Sequence, residues 1–196
     1  MLATITKANI LNTEQVTVAE TTHWVQKWRQ RNPTIVGYWA ALEAAAMTAV
    51  RNPGTVIPCR TVSFAMRENV LIVRLLSGRE LHYPAPSIEP GRFGQQRISF
   101  LDMEAGRRRG KQMYGAKWAE NVASAAARDL LVEAMKRLRA AGYSLVLHTH
   151  DEIVAEMPIG LGSVEEFKRL LVEVPAWAQG LPIAAKVFEH HRFRKD

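Results

Sequence analysis

Apolar residues recur along this chain at two different periods, and the change from one to the other divides it. Val18, Val25 and Trp28 lie near one helical face behind Thr17 and Glu20. That pair has capping-box spacing, in which a threonine hydroxyl and a glutamate three residues later bond each other's backbone N–H. The first helix is expected to stop near Arg31. Asn32 and Pro33 then read as a cap followed by a first-turn proline, opening a second helix. Its stripe is Ile35, Trp39, Leu42, Ala46 and Val50, and Asn52-Pro53-Gly54 ends it. Trp24, Trp28 and Trp39 fall on apolar faces and are expected in the core.

From Thr61 the pattern is short and β-like. Thr61 to Met66, Val70 to Leu76 and Glu80 to Tyr83 read as strands, with turns at Arg67 to Asn69 and Ser77 to Arg79. Pro84, Pro86 and Pro90 mark an irregular excursion, and Arg97 to Leu101 is a further candidate strand. Residues 114–141 form the longest helical pattern, with a stripe of Trp118, Val122, Ala125, Leu130, Ala134 and Leu138 and a stop at Gly142. In Ser144 to Met157, two apolar runs flank His148-Thr149-His150-Asp151-Glu152, which reads as a β-hairpin with a charged tip. Ser163 to Glu166 caps another helix running to about Val174. Ile183 to Phe188 reads as a last strand before the basic tail His190 to Lys195. Together these predict an α+β fold: an antiparallel sheet carrying the hairpin, backed by the helices at 114–141 and 163–174, with the first two helices beside it.

Composition narrows the function classes. An apolar fraction of 47% is ordinary for a globular chain of 196 residues. No apolar run approaches the roughly 18 residues of a membrane span, and the first residues make a poor signal peptide. The single cysteine, Cys59, excludes an intramolecular disulfide framework and any cysteine-rich zinc site, so a reducing, cytoplasmic compartment is expected. Twenty-six basic against nineteen acidic residues gives a net charge of +7. That excess favours polyanionic partners, because neutralising phosphates releases condensed counterions.

The hairpin tip is the main candidate for chemistry. Adjacent carboxylates on a turn suit Mg²⁺, which takes hard oxygen ligands and usually only one or two from protein. Asp151 is the candidate ligand, Glu152 an auxiliary one, and His150 a group shaping the site. Polar turn residues are also the ordinary way to join two strands. His148 and His150 alternate on one strand side, but with no third ligand at suitable spacing they read as surface histidines rather than a zinc site. Arg107, Arg108, Arg109 and Lys111 form a basic cluster just before the long helix, suited to phosphate contact at a helix entrance or to a solvated loop. On that helix Lys117, Glu120, Asn121, Ser124 and Arg128 lie close to one face by steps of three and four. There is no phosphate-loop motif and no G-x-S-x-G elbow.

Several of these segments together resemble A-family DNA polymerases. Leu147 to Glu156, LHTHDEIVAE, resembles the third catalytic motif, a His-Asp-Glu turn between two palm strands. Tyr114 to Lys117, Glu120-Asn121 and Ala127 to Leu131 resemble the preceding helix of the phage-type branch, usually worded YGGK, ENxxQ and ARDLL. Leu75 to Tyr83 is similar to the "PSGR-L-Y" hairpin of that branch. Trp28-Arg29, Asn32 to Ile35 and Trp39 to Glu43 resemble the helices that follow the nucleotide-binding helix of the fingers. Val174 to Trp177 and Leu181 to Ile183 match the usual ending. The matches run in the family's order from about residue 16 onward.

The resemblance implies a DNA-directed DNA polymerase segment acting in DNA replication: residues 1–56 from the end of the fingers and residues 57–196 from the palm. It implies His150, Asp151 and Glu152 as catalytic, with Asp151 and Glu152 at Mg²⁺. Primer-template DNA is the implied partner, through Arg107, Arg108, Arg109, Lys111, Lys117, Asn121 and Ser124. The setting it implies is a bacterial or phage-infected cell. Two positions depart from the pattern: Ser124 replaces the glutamine of ENxxQ and is shorter, and Ala116 replaces the second glycine of YGGK. Nothing here resembles the family's first catalytic motif or the lysine and tyrosine that hold a dNTP. The isolated chain is therefore expected not to polymerise unless completed by an N-terminal polymerase half. The rival expectation is a non-catalytic DNA-binding module or a degenerate prophage remnant that keeps the scaffold. Exposed palm surface also makes a homo-oligomer an expected partner state.

Overall fold

The capping box at Thr17 forms as its spacing predicts: Glu20 N–H donates to the Thr17 hydroxyl at 3.2 Å, and Thr17 N–H donates to the Glu20 carboxylate at 2.9 Å. It opens α1, Val18–Arg31, and after Asn32 the chain enters α2, Pro33–Arg51. The structure, a computed structural model, describes residues 17–91, 94–104 and 107–193, without the side chains of Met103, Glu104, Arg107 and Arg108. The start of the expected 1–56 segment and the last residues of the basic tail lie outside that description.

A four-stranded antiparallel meander follows: β1, Val56–Cys59; β2, Val62–Arg67; β3, Val70–Leu75; and β4, Glu80–Pro84. Cys59 pairs with Val62 and Arg67 with Val70, so each of these turns holds two residues. Arg60 and Glu68, the first residue of each turn, have φ of 50° and 53°. A left-handed first residue matches the right-handed twist of the flanking strands. A second sheet contains β5, Ser87–Pro90; β6, Gln96–Glu104; and β7, Arg107–Gln112. Then come α3, Gly115–Ala140; the hairpin β8, Ser144–Thr149, and β9, Glu152–Glu156; α4, Val164–Val172; and a 3-10 turn at Ala176–Ala178.

The molecule is thus α+β, as its periodicities predict, with the described strands divided among three antiparallel sheets; the β8–β9 hairpin stands as its own two-stranded sheet. The main core lies between α2, the meander and the first half of α3. Leu42, Ala45, Ala46 and Ala49 of α2 are buried with Phe64, Leu71, Val73 and Leu75 of the meander and Trp118, Val122 and Ala125 of α3. The alanines let α2 approach closely, and Trp118 meets Phe64 edge to face at 5.6 Å between ring centres. Burying a side chain such as Phe64 contributes about 1.5–3 kcal/mol. A smaller core gathers Leu138, Tyr143 and Leu170, with Leu145, Ile153, Ala155 and Phe167 packed against it.

Several expectations are corrected. Trp24 and Trp28 are each 45% exposed; Trp28 stacks on the half-buried Trp39 at 5.6 Å rather than entering the core. Helical spacing gives a shared face but not the neighbour that would cover it. Leu131, not Leu130, is the buried leucine at that turn of α3. The basic run from Arg107 is a strand, because β6 supplies a hydrogen-bonding partner along its length. Val56–Cys59 and Ser87–Pro90 also become strands through pairing. Ile183 to Phe188 is not a strand; it joins none of the described sheets. Helix α4 stops two residues short of Val174, which precedes Pro175 and is therefore disfavoured in helical conformation.

Candidate functional site

Thr149 pairs with Glu152 across the β8–β9 hairpin, so His150 and Asp151 alone make the turn. His150 takes φ of 50°, the same left-handed first position as at Arg60 and Glu68. The regular strand ends at Thr149, so strand alternation does not align His150 with His148. A register shift between Leu145 and Leu147 leaves Val146 as a bulge residue, which adds local twist below the tip. His150 and Asp151 are exposed and Glu152 is half-buried. Neither carboxylate side chain has a hydrogen-bond or ion-pair partner among the described residues.

This donor set suits a hard divalent ion that keeps most of its water, since two adjacent, unpaired carboxylates provide oxygen ligands and charge. Asp151 and Glu152 are the residues that would hold it. Among the described residues, no group of three or more His, Cys, Asp and Glu side chains is placed to hold a metal.

A second polar feature lies where the first half of α3 borders β4. Glu80, Leu81, His82, Tyr83, Asn121 and Ser124 line an open groove of about 440 Å³. Asn121 Nδ2 donates to the Tyr83 hydroxyl at 2.9 Å. Burial pushes the Tyr83 phenol up from its ordinary pKa, while the Asn121 hydrogen bond works the other way. Lys117, one turn before Asn121, pairs with Glu120 at 2.7 Å. Helix α3 therefore brings Lys117, Asn121 and Ser124 together, as their spacing predicts.

The basic cluster sits elsewhere, on β7. Lys111 pairs with Asp102 of β6 at 3.0 Å, and the register sets Arg109 opposite Asp102 and Arg107 opposite Glu104. Its strand partner thus carries acids at register positions opposite two of the arginines. The side chains of Arg107 and Arg108 lie outside the described residues. The hairpin tip and the groove are also separate, because the hairpin packs near Leu138 and the groove opens at Asn121. Seventeen residues of helix put these positions roughly 25 Å apart along the axis.

Two segments far apart in the sequence are joined by a contact that neither of them discloses. Arg79, in the β3–β4 turn, pairs with Asp129 of α3 at 2.6 Å and donates to the Ala125 carbonyl at 2.6 Å. Ser77 of the same turn donates to the other Asp129 oxygen. Fifty residues separate the partners, and neither segment alone shows the pairing. The only signal was that both segments belonged to wording the resemblance had singled out.

No family model matches the chain, and no solved structure matches it. Among curated proteins, the DNA polymerase of Bacillus phage SP02 is 36% identical over 174 residues, which is 88% of this chain and 27% of that protein. A matched stretch of that length contains both α3 and the β8–β9 hairpin wherever it begins. The chain is therefore a relative of a phage DNA polymerase, spanning about a quarter of that protein's length.

Proposed function

We propose that this chain is the palm and end-of-fingers segment of an A-family DNA polymerase, with residues 1–56 from the fingers and 57–196 from the palm, serving template-directed nucleotidyl transfer. The carrying observation is that the stretch similar to the phage polymerase includes a hairpin with adjacent carboxylates, Asp151 in its turn and Glu152 at the start of β9, neither paired among the described residues. In this reading Asp151 binds Mg²⁺, Glu152 assists it, and His150 shapes the space beside the primer end. A bound magnesium ion supplies charge neutralisation at the attacking oxygen and the leaving pyrophosphate. The primer-template contacts assigned are Lys117, Asn121 and Ser124 on α3, with Arg107, Arg108, Arg109 and Lys111 on β7.

Phosphoryl transfer between two ions needs protein carboxylates enough to hold both of them. This stretch of sequence holds one such turn, so the chain alone is expected to incorporate no nucleotide in a primer-extension assay with Mg²⁺ and all four dNTPs. A chimera in which residues 24–172 replace the matching stretch of the phage SP02 polymerase is expected to extend primers. Asp151→Ala in that chimera should lower incorporation at least about a hundredfold. A chimera whose activity survives Asp151→Ala overturns the assignment. A non-catalytic DNA-binding module is the second reading, favoured by the net charge of +7. Salt-dependent binding to primer-template together with an inactive chimera would select it.

A further inference from the structure

Tyr83 is built unlike a surface tyrosine. The residue is 5% exposed, and its ring is wedged edge-on between Phe100, at 5.0 Å, and Trp118, at 4.8 Å. Those contacts fix where its hydroxyl lies, on the floor of the groove between α3 and β4. There the hydroxyl accepts from Asn121 Nδ2, while Ser124, three residues further along α3, lines the same groove. An asparagine on a helix surface is ordinarily free to turn its amide. Tied to a ring that the core holds rigid, this one is presented in a single orientation before any partner arrives.

We propose that Tyr83 is a positioning residue for nucleic-acid binding: its hydroxyl holds the Asn121 carboxamide so that the amide meets a duplex edge in one fixed orientation. The proposal rests on the reading above that this face of α3 meets primer-template. Fixing a side chain beforehand removes ordering cost from the binding step. An amide and a phenol carry no charge, so they can hydrogen-bond a base or sugar edge without neutralising a phosphate or releasing its counterions. The minor groove presents acceptors at every base pair, so such a contact is compatible with any template sequence. Burial raises the phenol's pKa, so the hydroxyl keeps its proton at neutral pH and can itself donate into the groove.

The test compares the full chain with Tyr83→Phe, Asn121→Ala and the double variant. Binding to a fluorescent primer-template duplex is followed by anisotropy at several salt concentrations, with circular dichroism melting in parallel. Tyr83→Phe keeps the ring and its packing. Each single change is expected to weaken binding about three- to tenfold, the yield of one hydrogen bond. The double variant should bind no more weakly than the weaker single, because the two groups act as one unit. The salt slope should not move, since neither change removes a positive charge. Tyr83→Phe binding like the unaltered chain, additive losses, or losses that follow partial unfolding would each overturn the proposal. If the unaltered chain binds no duplex, the DNA reading fails and takes this one with it. If it binds and the variants match it, only the positioning role fails.

Discussion

A methyl group added at Gly115 would meet the backbone oxygen of Trp39 at 2.5 Å and the Trp39 Cβ at 2.9 Å, because the first turn of α3 lies directly against α2. Backbone cannot swing aside as a flexible side chain would, so the two helices would have to separate. The same turn lacks a side-chain cap of its own: Tyr114 provides none, and Gly115 N–H donates instead to the Glu43 carboxylate at 3.1 Å. A negative group there also suits the positive end of the helix. Separating α2 from α3 would loosen that bond as well as the packing around Trp118. Gly115→Ala is therefore expected to destabilise the protein by about 1–3 kcal/mol, the usual cost of overpacking. Urea unfolding followed by tryptophan fluorescence checks it, and an unchanged midpoint would contradict this account of the crossing. Sequence could not disclose either feature. Gly115 reads as one position of a tetrapeptide, and Glu43 lies seventy-two positions away in a different segment of the resemblance. The Thr17 cap was legible because both of its partners lie within one helical turn.

At the scale of elements, the β3–β4 turn is fastened to α3 by the Arg79–Asp129 pair, with Ser77 as a third member. The Asp129 side chain is 11% exposed and that of Arg79 is 41% exposed, so the pair lies between a surface bridge and a buried one. Exposed bridges contribute little, whereas breaking a buried pair leaves one charge uncompensated. Asp129→Ala strands a half-exposed guanidinium and also removes the acceptor for Ser77. The expected loss is about 1–3 kcal/mol, lying between those limits. Hydrogen exchange should place the increased opening at β4 and the centre of α3 rather than in β8–β9. Uniform faster exchange would argue against a local clasp. Elements closed by short turns, such as β2–β3 and β8–β9, were legible because turn chemistry and alternation act within a few residues. Strands β1, β5 and β7 were not, since their sequences become strands only by pairing. Arg107–Gln112 has no apolar alternation and owes its conformation to β6.

For the whole molecule, the two cores share α3: Trp118, Val122 and Ala125 serve the main one and Leu138 the smaller. Each core holds a weakly acidic group whose charged form burial disfavours. In the main core the Cys59 thiol is raised from 9.0 by burial, against the opposing pull of Arg60, and Tyr83 is raised from 10.0. In the smaller core burial raises Tyr143, with the Ser163 hydrogen bond opposing and Glu166 reinforcing. All three groups are neutral when protonated, and all three lose a proton more easily in the unfolded chain. Their contribution is thus complete below the unfolded values and is lost as pH rises through the higher folded ones. The unfolded chain binds fewer protons across that window, so stability must fall with pH. Urea midpoints are expected to be level with respect to these groups up to about pH 9, and to drop from there to about pH 11. Tyrosinate absorbance should rise together with unfolding, since the native cores hold Tyr83 and Tyr143 protonated. Asn121→Ala removes the one hydrogen bond that lowers the Tyr83 pKa, so it should delay that tyrosine's ionisation in the native state. A midpoint level through pH 11, or full tyrosinate absorbance before unfolding, would show that these groups are not protected by the cores described.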